Sequence, residues 1–570
     1  MKALKITIIA LLAGFSMVSC DFLDKEPTKL TPENYFNTPA EANSFLTGIY
    51  AILSQPTFYG GDYMSLVAGD DLSHYGGSGR GPASTGLICN NATTSDNAVT
   101  AFWYALYSGI NRANMFLENI DKVNGFDAGV KEQYIAEARF LRAFYYFNLV
   151  ECWGDVPFKT VSTQSVTNLN IPRTDKQEIY DFIVSEMAAE TGLKSASDLA
   201  YKPGRISQST AWGILARVYL FRAGEHYREG RNATQAEKKD YFERASFYAQ
   251  KVMTAGHKLA ANYWDPFIDM CSDKYNTTAN ESIWEAEFAG NNTSDTQAEG
   301  RIGNIIGLAG PDLSSKSDVT GAKDPGYGYA FIYSTPKLYN LYVNNGDTKR
   351  FNWSIAPFEY KEAGGKNTGV THREFEQGKL AEVMSQYGQQ RGTYQYADDT
   401  EKTTATKNFS RMCGKYRREY EADKKDKNYT SINFPILRYA DVLLMIAEAE
   451  NEANNGPTTL AYQCMKEVRE RAGLNELPDM TQEEFRQTVK DERAMELCFE
   501  YTRRFDLIRW GEYVKNMRAL VTEAQSGNNW TQGPTNVYTY FNISSTYNYF
   551  PIPDAEMSVN KDITQNNPGW

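Results

Sequence analysis

The sequence predicts a mostly α-helical fold with few short strands, and three observations carry that expectation. The stretch 434–455 is apolar at helical spacing through Ile436, Ala440, Leu443 and Ala447, while Leu437, Leu444 and Ile446 carry apolar character to other faces. Such a helix belongs inside. Residues 134–149 are amphipathic, with Ile135, Ala138, Leu141 and Tyr145 on one side and Glu137, Arg139 and Arg142 on another. Finally, two helical stretches, the run after Gly204 and the central one, are each followed by a second helix that stops at a glycine, Gly256 or Gly473.

At the N-terminus, Lys2 and Lys5 precede an apolar run from Ile6 to Val18 that ends Ser19-Cys20. The run is shorter than the roughly 20 residues a membrane span needs, so residues 1–19 read as an export signal. A small residue before Cys20 is the pattern of a bacterial lipobox, with Met17 at the position Leu usually takes, and lipidation of Cys20 is expected. The remaining chain, 20–570, shows no long Pro/Gly/Ser linker and reads as one domain. Its parts are a helical scaffold (31–255 and 431–516), a loop-rich insert (256–430) and a C-terminal segment (517–570).

Thr174 or Asp175 can cap the helix that continues QEIYDFIVSEM, and Gly224 ends the helix STAWGILARVYLFRA. In the central helix, Pro435 can open the first turn and Gly456 can provide a left-handed C-terminal cap. Arg438 and Asp441 lie one turn apart and can pair. The second helices share a spacing, Ala245 to Val252 and Ala461 to Val468, and the pairs are similar to degenerate tetratricopeptide units. Trp284 and Trp353, in β-like IWEAEF and FNWSI, are expected in the core.

Composition excludes several functions. A net charge of −12, with two of the lysines in the leader, argues against nucleic acid as a partner. Six cysteines beyond Cys20 are widely spaced without C-x-x-C, and the four histidines form no ligand-spaced cluster, so neither a metal site nor a cofactor is expected. Most of those cysteines read as buried thiols. Glu492, Glu496 and Glu500, at i, i+4 and i+8, are the most enzyme-like group. Interleaved with Arg493, Arg503, Arg504 and Arg509, they read as an ion-pair network rather than a glycosidase pair. Gly76-Gly77-Ser78-Gly79 lacks the second glycine of a nucleophile elbow.

The 38 tyrosines exceed what a helical core needs, and they concentrate with Gly, Asn and Thr between His257 and Tyr429 and between Asp70 and Asn97. Loops of that kind carry function, and an aromatic ring can lie against the C–H face of a sugar. Tyr327 and Tyr329, two apart in GYGYAFIY, would point the same way in an extended segment and form one platform. Arg80 and Asn90 would supply hydrogen bonds from a facing loop, with Tyr75, Tyr394 and Tyr396 as further candidates.

Seven blocks in order resemble the RagB/SusD-type outer-membrane glycan-binding lipoproteins of the Bacteroidetes. They are the lipobox at Cys20, EARFLRAFYYFNLVECWGDVPF from Glu137, PRTDKQEIYDFI from Pro172, GRISQSTAWGILARVYLFRAG from Gly204, NFPILRYADVLLMIAEAEN from Asn433, DERAMELCFEYTRRFDLIRWG from Asp491, and YFPIPDAEMSVN with QNNPGW at the end. Ala494 and Tyr501 stand where the family usually has Arg and Gly. The resemblance implies a SusD-like fold of tetratricopeptide-type helix pairs with a loop-rich ligand side, and no catalytic activity. It implies ligand contacts in a glycine-aromatic segment before the helix near Pro336, and an oligosaccharide or polysaccharide ligand. It also implies a SusC-like TonB-dependent outer-membrane transporter as partner, and an outer-membrane location through the lipid anchor, facing the cell exterior. Two other classes fit the residues alone: a secreted glycoside hydrolase and a tetratricopeptide-type peptide-binding protein.

Overall fold

The computed structural model describes residues 35–75, 86–165, 167, 169–224, 234–288, 300–312, 326–356, 358–360, 394–396, 411–421, 426–525, 541 and 543–570. Cys20 and Arg80 lie outside these residues, as do the side chains of Tyr394 and Tyr396.

The scaffold is a train of helices, each packed on the next. α1 (Pro39–Tyr50) lies on α2 (Asn97–Asn119), which pairs with α3 (Val130–Trp153). α3 meets α4 (Lys176–Ala188), α4 meets α5 (Gln208–Ala223), and α5 pairs with α6 (Gln235–Met253). A short helix, α7 (Ile302–Ile305), and then α8 (Pro336–Asn345) and α9 (Thr348–Ser354) come from the middle of the chain. α10 (Tyr439–Ala453) closes the train against α6 and is followed by α11 (Thr459–Arg471), α12 (Gln482–Leu497) and α13 (Arg503–Arg509). Local side-chain chemistry starts these helices, at Asp175 as the sequence indicates. Asp175 accepts from the Gln177 amide at 2.8 Å, and Thr481 and Glu484 form a reciprocal capping box. Both expected helix pairs, α5/α6 and α10/α11, are present. Ala245, Ala249 and Val252 are fully buried, as are Ala461 and Val468, so the shared spacing is a shared packing face.

The strands are short. β1 (Ser73–Tyr75), β3 (Ile332–Ser334), β7 (Met412–Cys413) and β4 (Ile355–Ala356) lie side by side in that order as an antiparallel sheet. β2 (Ser282–Ala286) pairs with β8 (Phe434–Arg438), and β5 (Phe358–Tyr360) with β6 (Tyr394–Tyr396).

The central stretch departs from expectation at both ends. Pro435 opens no helix: it lies in β8 opposite Glu285, and α10 starts only at Tyr439. Pairing with β2 outcompetes a first helical turn because β8, all five residues buried, needs strand partners for its backbone. At the other end the left-handed residue is Asn455 (φ 54°), one position before Gly456. Trp353 is fully buried as expected but sits in the last turn of α9 rather than in a strand, while Trp284, also fully buried, is in β2 against Phe144 at 4.7 Å. The six cysteines beyond Cys20 are buried free thiols.

Arg438 and Asp441 do not pair with each other. Arg438 bonds Glu281 at 2.6 Å, Glu496 at 3.2 Å and Glu500 at 2.7 Å, whereas Asp441 bonds Arg217 at 2.8 Å and Arg493 at 2.7 Å. Glu492 meets Arg350 at 2.6 Å and Arg469 at 3.0 Å; Glu496 also meets Arg350 at 3.0 Å and Arg471; Glu500 meets Lys415 at 2.7 Å. Glu500 lies past the end of α12 at Leu497, so the three carboxylates do not share one helix, yet all three join one buried ionic network. Tyr501 is left-handed at φ 61°, the conformation in which glycine is favoured, which accounts for the residue the family usually has there.

Candidate functional site

The segment after Gly326 alternates strictly. Gly326, Gly328, Ala330 and Ile332 are buried, while Tyr327, Tyr329, Phe331 and Tyr333 are half-exposed. Ala330 is left-handed at φ 49°, so the segment is not one continuous strand before β3; three of these rings, Tyr327, Tyr329 and Phe331, are nevertheless in contact in sequence, where two were expected. Phe331 and Tyr333 were missed as candidates although they continue the same two-residue period.

The rings form a ridge rather than a flat platform. Tyr327 meets Tyr329 edge to face at 4.9 Å and 77°, and Tyr329 stacks on Phe331 at 4.9 Å and 14°. Beside Tyr327, Lys427 Nζ lies 5.3 Å from the ring centroid and pairs with Asp312 at 2.9 Å. Burial, then the neighbouring Tyr329, raises the Tyr327 hydroxyl above the ordinary phenol range, with Lys427 opposing. The hydroxyl stays protonated at neutral pH and remains a donor.

The glycines of this segment serve close packing. A Cβ at Gly328 would collide with the Leu308 carbonyl oxygen, and one at Gly326, whose φ is 76°, with the Arg418 side chain. The two glycines let the strand lie directly on its supports. Its backbone is pinned there: the Tyr329 amide donates to the Asn304 carbonyl at 2.7 Å and the Phe331 amide to the Ile305 carbonyl at 2.8 Å, both on α7. β3 continues the segment into the sheet, and Thr335 caps α8 immediately after it.

Two sequence candidates sit elsewhere than expected. Tyr75 is only 2% exposed; β1 pairs with β3, Tyr75 opposite Ile332, and its ring lies 5.7 Å from Phe331 as part of the core under the ridge. Asn90 is buried at the end of a 3-10 turn, where its carbonyl accepts from Tyr547 and its side-chain oxygen from Tyr513 at 3.4 Å. These long-range partners hold it in the interior. Tyr394 and Tyr396 belong to β6, paired with β5.

Among the described residues, no group of three or more His, Cys, Asp or Glu is placed to hold a metal ion, and no helix is long and apolar enough to cross a membrane. The carboxylates once comparable to a glycosidase pair are committed as ion pairs. Burial would raise Glu496, but Arg471, Arg438 and Arg350 outweigh it and hold the carboxyl down at about 2. A fully buried, permanently ionised carboxylate shared among guanidiniums has no proton to give.

Comparison with known proteins places this architecture. A model of the SusD family matches residues 280–570, and a second, described as starch-binding associating with outer membrane, matches 21–220. SusD-like protein P2 of Formosa agariphila is 26% identical over 584 aligned residues, covering 100% of both chains. Starch-binding protein SusD of Bacteroides thetaiotaomicron is 23% identical over 474 residues, 80% of this chain and 76% of that one. Among solved structures, a SusD homolog from Bacteroides thetaiotaomicron superposes with a TM-score of 0.78 at 27% identity, covering 96% of this chain and 100% of the other. A laminarin-binding SusD-like protein shares the fold with a TM-score of 0.66 at 21% identity over 94% of this chain and 100% of that one. With one family model spanning the C-terminal half and a second most of the N-terminal part, the chain belongs to the SusD family.

Proposed function

We propose that this protein is a non-catalytic glycan-binding lipoprotein that captures an oligosaccharide or polysaccharide along the Tyr327–Tyr333 ridge. It then delivers that ligand to a TonB-dependent outer-membrane transporter of the SusC type. The carrying observation is the ridge itself: Tyr327, Tyr329 and Phe331, half-exposed and in contact in sequence, with half-exposed Tyr333 after them, on a backbone pinned to α7. Aromatic carbon at the ridge offers apolar contact to sugar C–H groups, and the hydroxyls of Tyr327 and Tyr329 with the Lys427–Asp312 pair offer hydrogen bonds to sugar hydroxyls. The names of relatives support the same class of ligand, one described as starch-binding and one as laminarin-binding. Cys20 would carry the lipid that holds the protein to the outer membrane, facing the exterior, where polymeric glycans are met. The family likeness supports the transporter as the partner.

Electrophoresis of the purified protein through gels containing soluble starch, laminarin and a wider glycan panel tests the binding. Retardation by at least one glycan, with no new reducing ends on incubation, is expected. Reducing ends growing in proportion to protein would favour a hydrolase, and peptide binding without any glycan retardation would favour a peptide-binding scaffold.

A further inference from the structure

We propose that Arg418, supported by Asn304, is a positioning residue for ligand capture, locking Tyr327 and Lys427 side by side; this rests on the glycan reading above. Arg418 is 3% exposed and distributes its guanidinium in an informative way. Nε and Nη2 hold the Glu421 carboxylate at 2.8 and 3.1 Å, which balances the charge. The rest goes to backbone carbonyls of two separate segments: Nη1 to Tyr327 at 2.8 Å, and Nη2 to Asp426 and Tyr429, each at 2.9 Å. Asn304, fully buried on α7, repeats the pattern, its Nδ2 donating to the Tyr327 carbonyl at 3.2 Å and the Lys427 carbonyl at 2.8 Å. A residue retained for charge balance alone would need only Glu421. Here both side chains tie the strand that carries Tyr327 to the turn that carries Lys427. The Tyr327 carbonyl accepts from both. The turn is rigid in itself, since Asp426 Oδ1 accepts from the amides of Asn428 and Tyr429 at 2.7 and 3.1 Å. The arrangement holds a ring, a cation and its paired carboxylate in one fixed relation before any ligand arrives, so binding does not bear the cost of ordering them. Lysine at 418 could not reproduce the planar fork that reaches three carbonyls and a carboxylate together.

The test uses R418Q/E421Q, which removes both members of the buried charge pair together, and N304A as a second variant. Two readouts are taken: hydrogen exchange at the Tyr329 and Tyr429 amides, and retention by laminarin and soluble starch, alone and combined with Y327A. Exchange at those amides about tenfold faster than wild type, with α10 still protected, is expected, together with about tenfold weaker retention. Because Arg418 acts through Tyr327, adding R418Q/E421Q to Y327A should weaken retention little further. Unchanged exchange at both amides, or full additivity with Y327A, overturns the proposal. Faster local exchange in a protein whose wild type is retained by no glycan leaves Arg418 as the lock and instead refutes the glycan reading.

Discussion

Arg438 Nη1 lies 2.6 Å from Glu281 Oε1, both buried, and the contact joins the end of β8 to the residue just before β2. The same guanidinium reaches Glu496 on α12 and Glu500 beyond it, so one arginine ties the central strand to α12. Arg438→Met should therefore destabilise by about 3–5 kcal/mol, because it leaves three buried carboxylates short of a partner. Chemical denaturation measures this directly. A loss under about 1 kcal/mol would mean that the neighbouring Arg350, Arg471 and Lys415 suffice without it.

Stability should peak in mildly acidic solution. Burial pushes Glu285 up to about 7, and burial with repulsion from Asp71 pushes Asp70 up to about 7. These groups bind protons in the folded state before the unfolded chain does, so stability rises as pH falls from about 7 toward about 4.5. Arginine partners, opposing burial, hold Glu496, Asp441 and Glu448 down at about 2. Their contribution is complete above the ordinary carboxylate range and is lost as pH falls from about 4.5 through about 2. The melting temperature, followed by calorimetry from acid to neutral, should pass through a maximum near pH ~5. A steady rise all the way to neutrality would contradict the assignment of Glu285 and Asp70.

Tyr75 provides a contrast within one small region. Its buried ring supports Phe331 from below, so Tyr75→Ala should cost about 3–5 kcal/mol. Loss of glycan retention by this variant should track its loss of fold. A stable Tyr75→Ala protein with selectively impaired binding would return the residue to the ligand face.

Cys20→Ala should leave a folded protein that no longer sediments with the outer membrane, since one thiol would carry the whole anchor. Fractionation of cells lacking the proposed transporter is the check. A variant that stays membrane-bound there would refute the lipobox reading.

Much of this was legible in the chain. Helix pairs, the cap at Asp175, and the cores around Ala245–Val252 and Ala461–Val468 follow from local pattern because each depends on neighbours a few residues away. What depended on distant residues was not. Pro435 looks like a helix opener until Glu285 appears opposite it in β2. Arg438 and Asp441 look like a pair until Glu281 and Arg493 arrive from elsewhere. Tyr75 and Asn90 have the chemistry of ligand-binding residues, and only their contacts with Phe331 and with Tyr513 and Tyr547 show them to be interior. For the ridge, the two-residue period that singled out Tyr327 and Tyr329 ran on through Phe331 and Tyr333 and could have been followed. The support from Arg418 and Asn304, contributed by segments far along the chain, had no local signal.

Whether the half-exposed rings hold the glycan is read out by the Tyr327→Ala/Tyr329→Ala double variant. Half-exposed rings contribute little to stability, so the melting temperature should shift by only a few degrees while retention in the glycan gel that retards wild type falls by at least about tenfold. Retention equal to wild type in a folded double variant would contradict the account and place the ligand elsewhere on the molecule.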